Sequence, residues 1–439
     1  MKAAFLRWRS TVADRIRYSS RIQSLLGWRR YLEGRLRGGG PKSLALIADA
    51  HRIWLPVGAE HRTLPRLRKA HEAPGNPWFD HEIGWSRYRR QFAEGIPALS
   101  HGLIIKPRVS DREKGVLVVW VEYNLVSLMR SPRLKEILRD YRIVFSTSWS
   151  PPDLALVWAL ARFPGAELYV IGSNAKDPGW LQQIPSSLKV LPFYASHWIS
   201  GDDYGGAGLL GGEKRYDFSM IANWAPFKRH WLLFRALRDL PGDTRVALVG
   251  QPEGKHTVDT SRSLAAAYGV ADRVEWFNRL DPPEVRQVQA ASRSGLILSR
   301  REGSCLAVVE SLLADVPVGM VKEAHVGSLD FINAATGAAL DERAMARDLA
   351  SLLERAKAGS FTPRAWALEH AEADRSSRDL EEWLRTEAMA SGEPWTRGLE
   401  GFCLRRARPD YLATPSWESA RSWHREFEEA YGVRFLWPD

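Results

Sequence analysis

The sequence predicts an α/β protein with two doubly wound, parallel-sheet domains preceded by a basic helical arm. Three observations carry that expectation. Apolar runs of strand length alternate with helical patterns along most of the chain, as parallel strands buried on both faces require. A Gly-rich, aperiodic stretch, "SGDDYGGAGLLGGEK" from Ser200 to Lys214, interrupts the alternation, which then restarts. The 439 residues also suffice for two or three domains with cores of their own. The expected division is an arm over 1–38, a first domain over 42–200, a hinge over 201–214, a second domain over 215–375 and a C-terminal helical region over 376–439.

In the arm, Phe5, Trp8, Val12 and Ile16 share one helical face, Ile22, Leu25 and Leu26 extend it, and arginines fill the other side. The pattern fits an interfacial amphipathic helix and, equally, a surface helix packed on the body with solvated arginines. Its Arg-rich, acid-poor composition also admits a transit peptide. "RGGGP", Arg37 to Pro41, closes the arm as a linker. In the first domain "SLALIAD" reads as a strand, and residues 55–100 show no pattern that assigns them. "GVLVVWVEYN" reads as a buried strand, "LVSLMRSPRLKEILRDY" as one helix and "RIVFSTSW" as a strand. "PDLALVWALARF" is a helix with Pro in its first turn, and "AELYVIGSN" and "LKVLPFY" are strands.

After the hinge come "YDFSMIAN" (strand), "HWLLFRALRDL" (helix), "RVALVG" (strand), "SRSLAAAYGV" (helix), "RVEWF" (strand), "PPEVRQVQAAS" (helix) and "SGLILS" (strand). A helix from about Ser304 and the strand "VPVGMV" follow, then helices "AMARDLASLLERAKAG" and "DLEEWLRTEAMA". The last fifty residues, rich in Trp and Arg, resist assignment. The hinge contains G-x-G-x-x-G at Gly206, Gly208 and Gly211, but a strand rather than a helix follows it, so a linker is the better reading.

At 45% hydrophobic and 26% charged, the composition is that of a soluble globular protein, without an apolar run long enough for a membrane span or a secretory leader. Cys305 and Cys403 make neither a disulfide framework nor a metal cluster, which suits a reducing cytoplasm. The net charge of +10 is uneven: residues 1–38 hold ten Lys/Arg against Asp14 and Glu33, a balance of +8. The basicity thus belongs to the arm, and a nucleic-acid partner, which needs a basic face on the folded domain, is not expected. The 19 Trp are read chiefly as core and inter-domain packing.

Ligands of open parallel sheets bind beyond the carboxyl ends of the strands. Three such ends in the second domain carry suggestive residues: Asn223 to Arg229, Asn278 and Arg279, and Arg300 to Cys305. Gly303 lets backbone approach a ligand, Ser304 is a favoured N-cap, and the helix it opens offers free N–H groups. Lys228 adds a cation, and together these suit a diphosphate. Glu310 is the only charge on a helix whose other positions (Leu306, Val308, Val309, Leu312, Leu313) are apolar nearly all round. An unpaired buried carboxylate costs several kcal/mol or shifts its pKa. The two hydroxyls of a ribose would satisfy it; so would a core arginine. Glu302, at the loop tip, would accept from sugar hydroxyls, or else sits solvated beside Arg300 and Arg301.

"EGSCLAVVE" resembles the E-x7-E signature, often E-G-F-G-x-x-x-x-E, of the retaining glycosyltransferases of family 4. "ANWAPFKR" is similar to that family's G-R-L-x-P-x-K-G, with Lys228 on its lysine, and "RVALVGQPEG" and "RVEWFNRLDPPEV" resemble the strands and loops between. The resemblance spans roughly Tyr216 to Ala339. It implies the GT-B fold, two doubly wound Rossmann-like domains facing across a cleft, with C-terminal helices that often return to the first domain. It implies that Lys228 binds the donor diphosphate and Glu302 the donor sugar, as the two catalytic groups. Gly303, Ser304, Cys305 and Leu306 would pack backbone against sugar and phosphate, Glu310 would bind the ribose, and Arg279 and Leu280 would lie along the base. Asn223 stands where the family has a phosphate-binding arginine, and Ser304-Cys305 where it has Phe-Gly. Ser173 and Asn174, candidate acceptor-side residues, stand where many members have a first-domain histidine. The Gly-Gly turn usual near the family's first strand is missing from "LIADAHRIW".

The implied activity is transfer of a sugar, with retention, from a nucleotide-diphosphate donor to a glycan or lipid-linked acceptor. No cofactor and no metal are expected. The D-x-D of metal-dependent GT-A enzymes is absent, and "GQPEGKHT" is one residue short of a P-loop and lacks the Ser/Thr after its lysine. The arm suggests a peripheral position on the cytoplasmic face of an anionic membrane. A catalytically inactive GT-B protein that binds a nucleotide sugar as sensor or scaffold is the rival reading. A protein using the arm on RNA or DNA is a more distant one.

Overall fold

The structure, a computed structural model, describes residues 2–73, 97–146, 155–183, 187–206, 209–405 and 408–436. The N-terminal helices are α1 (Lys2–Tyr18), α2 (Ser20–Leu36), α3 (Gly40–Trp54) and α4 (Leu64–Glu72). Next come β1 (Ala98–Leu99), β2 (Gly102–Lys106), β3 (Gly115–Trp120), α5 (Glu122–Met129), α6 (Leu134–Asp140), β4 (Tyr141–Ser146), α7 (Ala155–Ala161), β5 (Leu168–Gly172), α8 (Asp177–Leu181) and β6 (Lys189–Tyr194). A second alternation follows: β7 (Tyr216–Ile221), α9 (His230–Leu237), β8 (Val246–Gly250), α10 (Val258–Tyr268), β9 (Val274–Asn278), α11 (Pro282–Ala290), β10 (Ser292–Ile297), α12 (Leu306–Leu313), β11 (Val318–Val321) and β12 (Gly337–Leu340). The chain ends with α13 (Met345–Lys357), α14 (Pro363–His370), α15 (Ala373–Ala390), β13 (Phe402–Arg405), β14 (Arg408–Tyr411), α16 (Thr414–Tyr431) and β15 (Arg434–Phe435). Two compact units result: unit one joins 1–18 to 199–375, and unit two joins 19–198 to 376–439.

Unit two is built on the sheet β2-β3-β4-β5-β6, parallel except for the β2 edge. Every residue of β3, β4 and β5 is buried, which explains their unbroken apolar sequences. "SLALIAD" is not a strand; it lies in α3. Leu44, Ile47, Ala50 and Trp54 are its buried apolar positions, a spacing of three to four that places them on one helical face. Gly27 of α2 faces Trp54, and a Cβ there would lie 2.1 Å from the indole nitrogen, so glycine permits the α2–α3 approach. The single helix expected over 125–141 is two, α5 and α6, because Pro132 cannot continue the first. The ends of "RIVFSTSW" and the start of "PDLALVWALARF" lie outside the described residues, as does Gly208 of the hinge motif. The C-terminal residues complete this unit. The buried Arg142 forks onto Glu393 at 2.7 and 2.6 Å, Tyr431 donates to Asp140 at 2.7 Å, and Ile104 N–H donates to His424 Nε2 at 3.0 Å.

Unit one holds six parallel strands in the order β12-β11-β10-β7-β8-β9. From β7 the chain runs outward to β9 and then crosses back to β10 on the other side of β7. The gap between the β7 and β10 exits is therefore the topological switch point, where open α/β sheets bind ligands. Phe218, Leu232, Phe234, Leu248, Leu296, Leu349 and Leu352 form the core on one face of the sheet.

Helix α1 belongs to this unit and packs on α10, α9 and the turn at Pro226–Lys228. Arg7 and Asp14 face the body. Phe5, Trp8 and Ile16 face outward, 55%, 60% and 49% exposed, so the apolar stripe is not what docks the helix. Among the described residues no helix is long and apolar enough to cross a membrane.

Candidate functional site

The loop after β7 delivers Lys228 and the loop after β10 delivers Glu302, and the two side chains meet. Lys228 Nζ donates to Glu302 Oε2 at 2.6 Å, with both side chains largely buried. Burial alone would lower the lysine's pKa, but the Glu302 carboxylate holds it above the ordinary value. The other glutamate oxygen, Oε1, is buried without a hydrogen-bond partner among the described residues. A buried acceptor of that kind is one that a ligand's donor can satisfy.

The Glu302–Cys305 loop is tied down from one side. Glu302 N–H donates to His325 O at 3.0 Å, Gly327 N–H to Gly303 O at 3.1 Å, and Ser328 Oγ to Cys305 O at 3.0 Å. Cys305 caps α12 with φ 56°, a left-handed conformation at the place where the motif it resembles has its second glycine. The backbone path of a glycine is thus retained by a residue for which it costs about 1–2 kcal/mol. Burial pushes the Cys305 thiol's pKa up, and Glu302 adds to the effect. Cys305→Val should cost about 1–3 kcal/mol in chemical denaturation, because a branched Cβ tolerates positive φ worst. Cys305→Gly should stay within about 1 kcal/mol of the parent. Equal losses in the two variants would show that the left-handed turn is not the constraint.

Along α12, Glu310 is half-buried, one turn after the half-buried Leu306, on the one side of the helix that is not closed. Among the described residues its carboxylate has no hydrogen bond or ion pair. Burial pushes its pKa up to about 7, which the more distant Arg286 opposes and Asp203 reinforces. The core-arginine alternative for Glu310 therefore finds no direct partner in this unit.

The remaining strand ends are stitched to each other. Trp224 Nε1 donates to Asn278 Oδ1 at 3.0 Å, and Trp224 N–H to Gln251 O at 3.1 Å. Asn223 Nδ2 donates to Glu253 at 3.3 Å. Arg279 is exposed with φ 60°, its N–H bonded to Gly250 O at 2.9 Å, and Leu280 beside it is half-buried. Ser173 and Asn174 lie in unit two and are buried. Their backbone N–H groups donate to Asp177 Oδ2 at 2.6 and 3.3 Å, and the Asn174 amide donates to Oδ1 at 3.0 Å. Among the described residues no group of three or more His, Cys, Asp or Glu is placed to hold a metal ion.

One residue went unrecognised in the sequence. Arg229 follows Lys228 and has φ 63°, at the position of the glycine that ends the K-G motif. Its buried guanidinium donates to Asp14 at 2.9 and 3.0 Å, to Glu342 at 2.8 and 2.7 Å and to Leu298 O at 3.1 Å. Arg300 adds two bonds to Glu342 at 2.7 and 3.0 Å. Burial alone would raise the pKa of Glu342, yet the two arginines hold it at about 2. The available signal was an arginine standing where a glycine is usual.

Residues 209–366 match the family model of glycosyl transferases group 1. That span is about a third of the chain and contains the sheet of unit one, Lys228, Glu302 and Glu310. No curated protein matches the sequence. Among solved structures, the sucrose-phosphate synthase of Thermosynechococcus elongatus is similar at 15% identity over 62% of this chain and 74% of that one, with a TM-score of 0.48. The HepE protein of Anabaena in complex with UDP is similar at 18% identity over 63% and 79%, with a TM-score of 0.46. The pneumococcal O-GlcNAc transferase GtfA, in complex with UDP and GlcNAc, is similar at 14% identity over 58% and 54%, with a TM-score of 0.43. The chain thus spans about half the length of GtfA.

Proposed function

We propose that the protein is a retaining, family 4-like glycosyltransferase that moves a sugar from a nucleotide-diphosphate donor to a glycan or lipid-linked acceptor. The observation that carries this reading is the Lys228–Glu302 pair at the switch point of a unit matched by the group 1 model. Glu310, unpartnered among the described residues and on the helix that opens from the same loop, supports it. In the reaction, the bond from the anomeric carbon to the diphosphate oxygen breaks as the acceptor oxygen bonds to that carbon on the same face. The acceptor proton passes to the departing phosphate oxygen. Lys228 and the N–H groups that open α12 meet the charge that builds on the leaving diphosphate, which makes a metal unnecessary. Glu302 holds sugar hydroxyls, and Glu310 holds the ribose.

A thermal-shift panel of nucleotide sugars, run with and without a chelator, tests the reading. It should show one donor that raises the melting temperature in both conditions, followed by a product of unchanged anomeric configuration. Binding without product or donor hydrolysis would instead favour the sensor reading, which Asn223 in place of an arginine motivates.

We also propose that residues 1–38 meet an anionic bilayer, with the protein peripheral on the cytoplasmic face. Phe5, Trp8 and Ile16 project from α1 among Lys2, Arg9 and Arg15, all exposed. Phe5→Ser/Trp8→Ser should reduce sedimentation with phosphatidylserine vesicles at least about fivefold, and salt should weaken what remains. Unchanged sedimentation would remove the membrane from the proposal.

A further inference from the structure

The helix that carries the outward apolar stripe is also bonded, on its inner side, to the residue next to Lys228. Asp14 lies 215 positions from Arg229 in sequence, yet its two carboxylate oxygens take the Nε and Nη2 of that guanidinium. Both side chains are nearly inaccessible, 9% and 1% exposed. Arg229 has no freedom left, because its five hydrogen bonds go to Asp14, Glu342 and a strand-end carbonyl. Its backbone is the left-handed residue that turns the Pro226–Lys228 loop into α9. A left-handed arginine persists only where its surroundings over-determine it, and here the surroundings are the side chains of Asp14 and Glu342. Glu342 is shared with Arg300, two residues before Glu302, so the same network braces both halves of the Lys228–Glu302 pair. Tyr18, near the end of α1, lies under Arg229 and Arg300, with its ring 5.9 and 5.6 Å from their guanidinium carbons. Helix α1 lies outside the residues that the family model matches.

We propose that Asp14 is a positioning residue for the donor site. Through Arg229 it fixes the turn that aims Lys228, and so makes the N-terminal helix part of the donor-binding apparatus. The proposal rests on the reading of Lys228 as a diphosphate ligand, but its test does not need turnover. Competitive acylation of the full-length protein, with each lysine quantified by mass spectrometry, reports the environment of Lys228 directly. Asp14→Asn should raise acylation of Lys228 about threefold to tenfold over the parent, while other lysines stay unchanged. Asp14→Glu, which keeps the carboxylate, should restore most of the protection. Arg7→Ala cuts a different anchor of α1, a 2.7 Å bond to Ala267 O, and leaves Asp14 in place. It should lower the melting temperature without moving Lys228. Parent-like Lys228 reactivity in Asp14→Asn, or an equal rise in Arg7→Ala, would overturn the assignment. Inorganic pyrophosphate added to the parent should protect Lys228. Failure of that arm alone counts against the donor reading and leaves the Asp14 result standing.

Discussion

Glu310→Gln should make the protein more stable at about pH 8 and a poorer nucleotide binder at the same pH. The two effects share one cause. Burial lifts the pKa of Glu310 from an ordinary 4.5 to about 7. Between those values the folded protein holds a proton that the unfolded chain has released. The stability this residue contributes is therefore complete below about pH 4.5 and is lost as pH rises through about 7. For a half-buried side chain the loss is about 2 kcal/mol. Glutamine does not ionise, so the melting curves of parent and variant should nearly coincide at about pH 5 and separate toward pH 8. Binding runs the other way. A carboxylate accepting two ribose hydroxyls makes charge-assisted bonds, and the amide loses about 1.5–3 kcal/mol of that, a tenfold to hundredfold weakening. Parent affinity should also fall as pH drops through about 7, because the ligand must then displace a proton, while the variant stays flat. Calorimetric titration with the donor found in the panel reads both effects. Undiminished affinity in the variant would mean that the ribose lies elsewhere.

The sheet of unit one was readable because β7, β8 and β10 are short apolar runs separated by helices with clear punctuation. The positions of Lys228 and Glu302 on strand-end loops, and of Glu310 on an apolar helix, were readable for a related reason. Strand-end loops carry ligands, and a single carboxylate on an apolar helix stands out. The failures were of two kinds. "SLALIAD" is apolar enough for a strand, but its burial depends on α2, which the local pattern does not contain. The Gly38–Gly40 run that suggested a linker instead leads into α3, where Gly39 takes the cap position and Pro41 the first turn. The second kind was contact across sequence. Nothing near Asp14 announces Arg229, and nothing near Glu113 announces Thr396, which bonds it at 2.7 Å in unit two. The direction of the α1 stripe was open for the same reason. Periodicity gives the face but not the side on which the body lies, and here two charged residues, Arg7 and Asp14, decided it.

Lys228→Met should reduce turnover about 10²- to 10³-fold, the usual effect of removing a group that meets charge developing on a leaving oxygen. It should also lower stability by about 3 kcal/mol, because the buried Glu302 carboxylate would lose the ammonium that pairs it. Activity alone would not separate those two consequences, but the double variant Lys228→Met/Glu302→Gln does. It removes the stranded charge, so its melting temperature should recover toward the parent, while turnover stays lost. Restored turnover in the double variant would assign the pair a structural role and remove it from the chemistry. On the proposed reading, the pair keeps both groups in place before a donor arrives. A diphosphate would attract Lys228 away from the carboxylate. Glu302 would then need new donors, which the hydroxyls of the sugar attached to that diphosphate would supply. A bare nucleoside diphosphate takes the lysine without replacing it, so it should bind more weakly than the nucleotide sugar. In Glu302→Gln the difference between the two ligands should shrink.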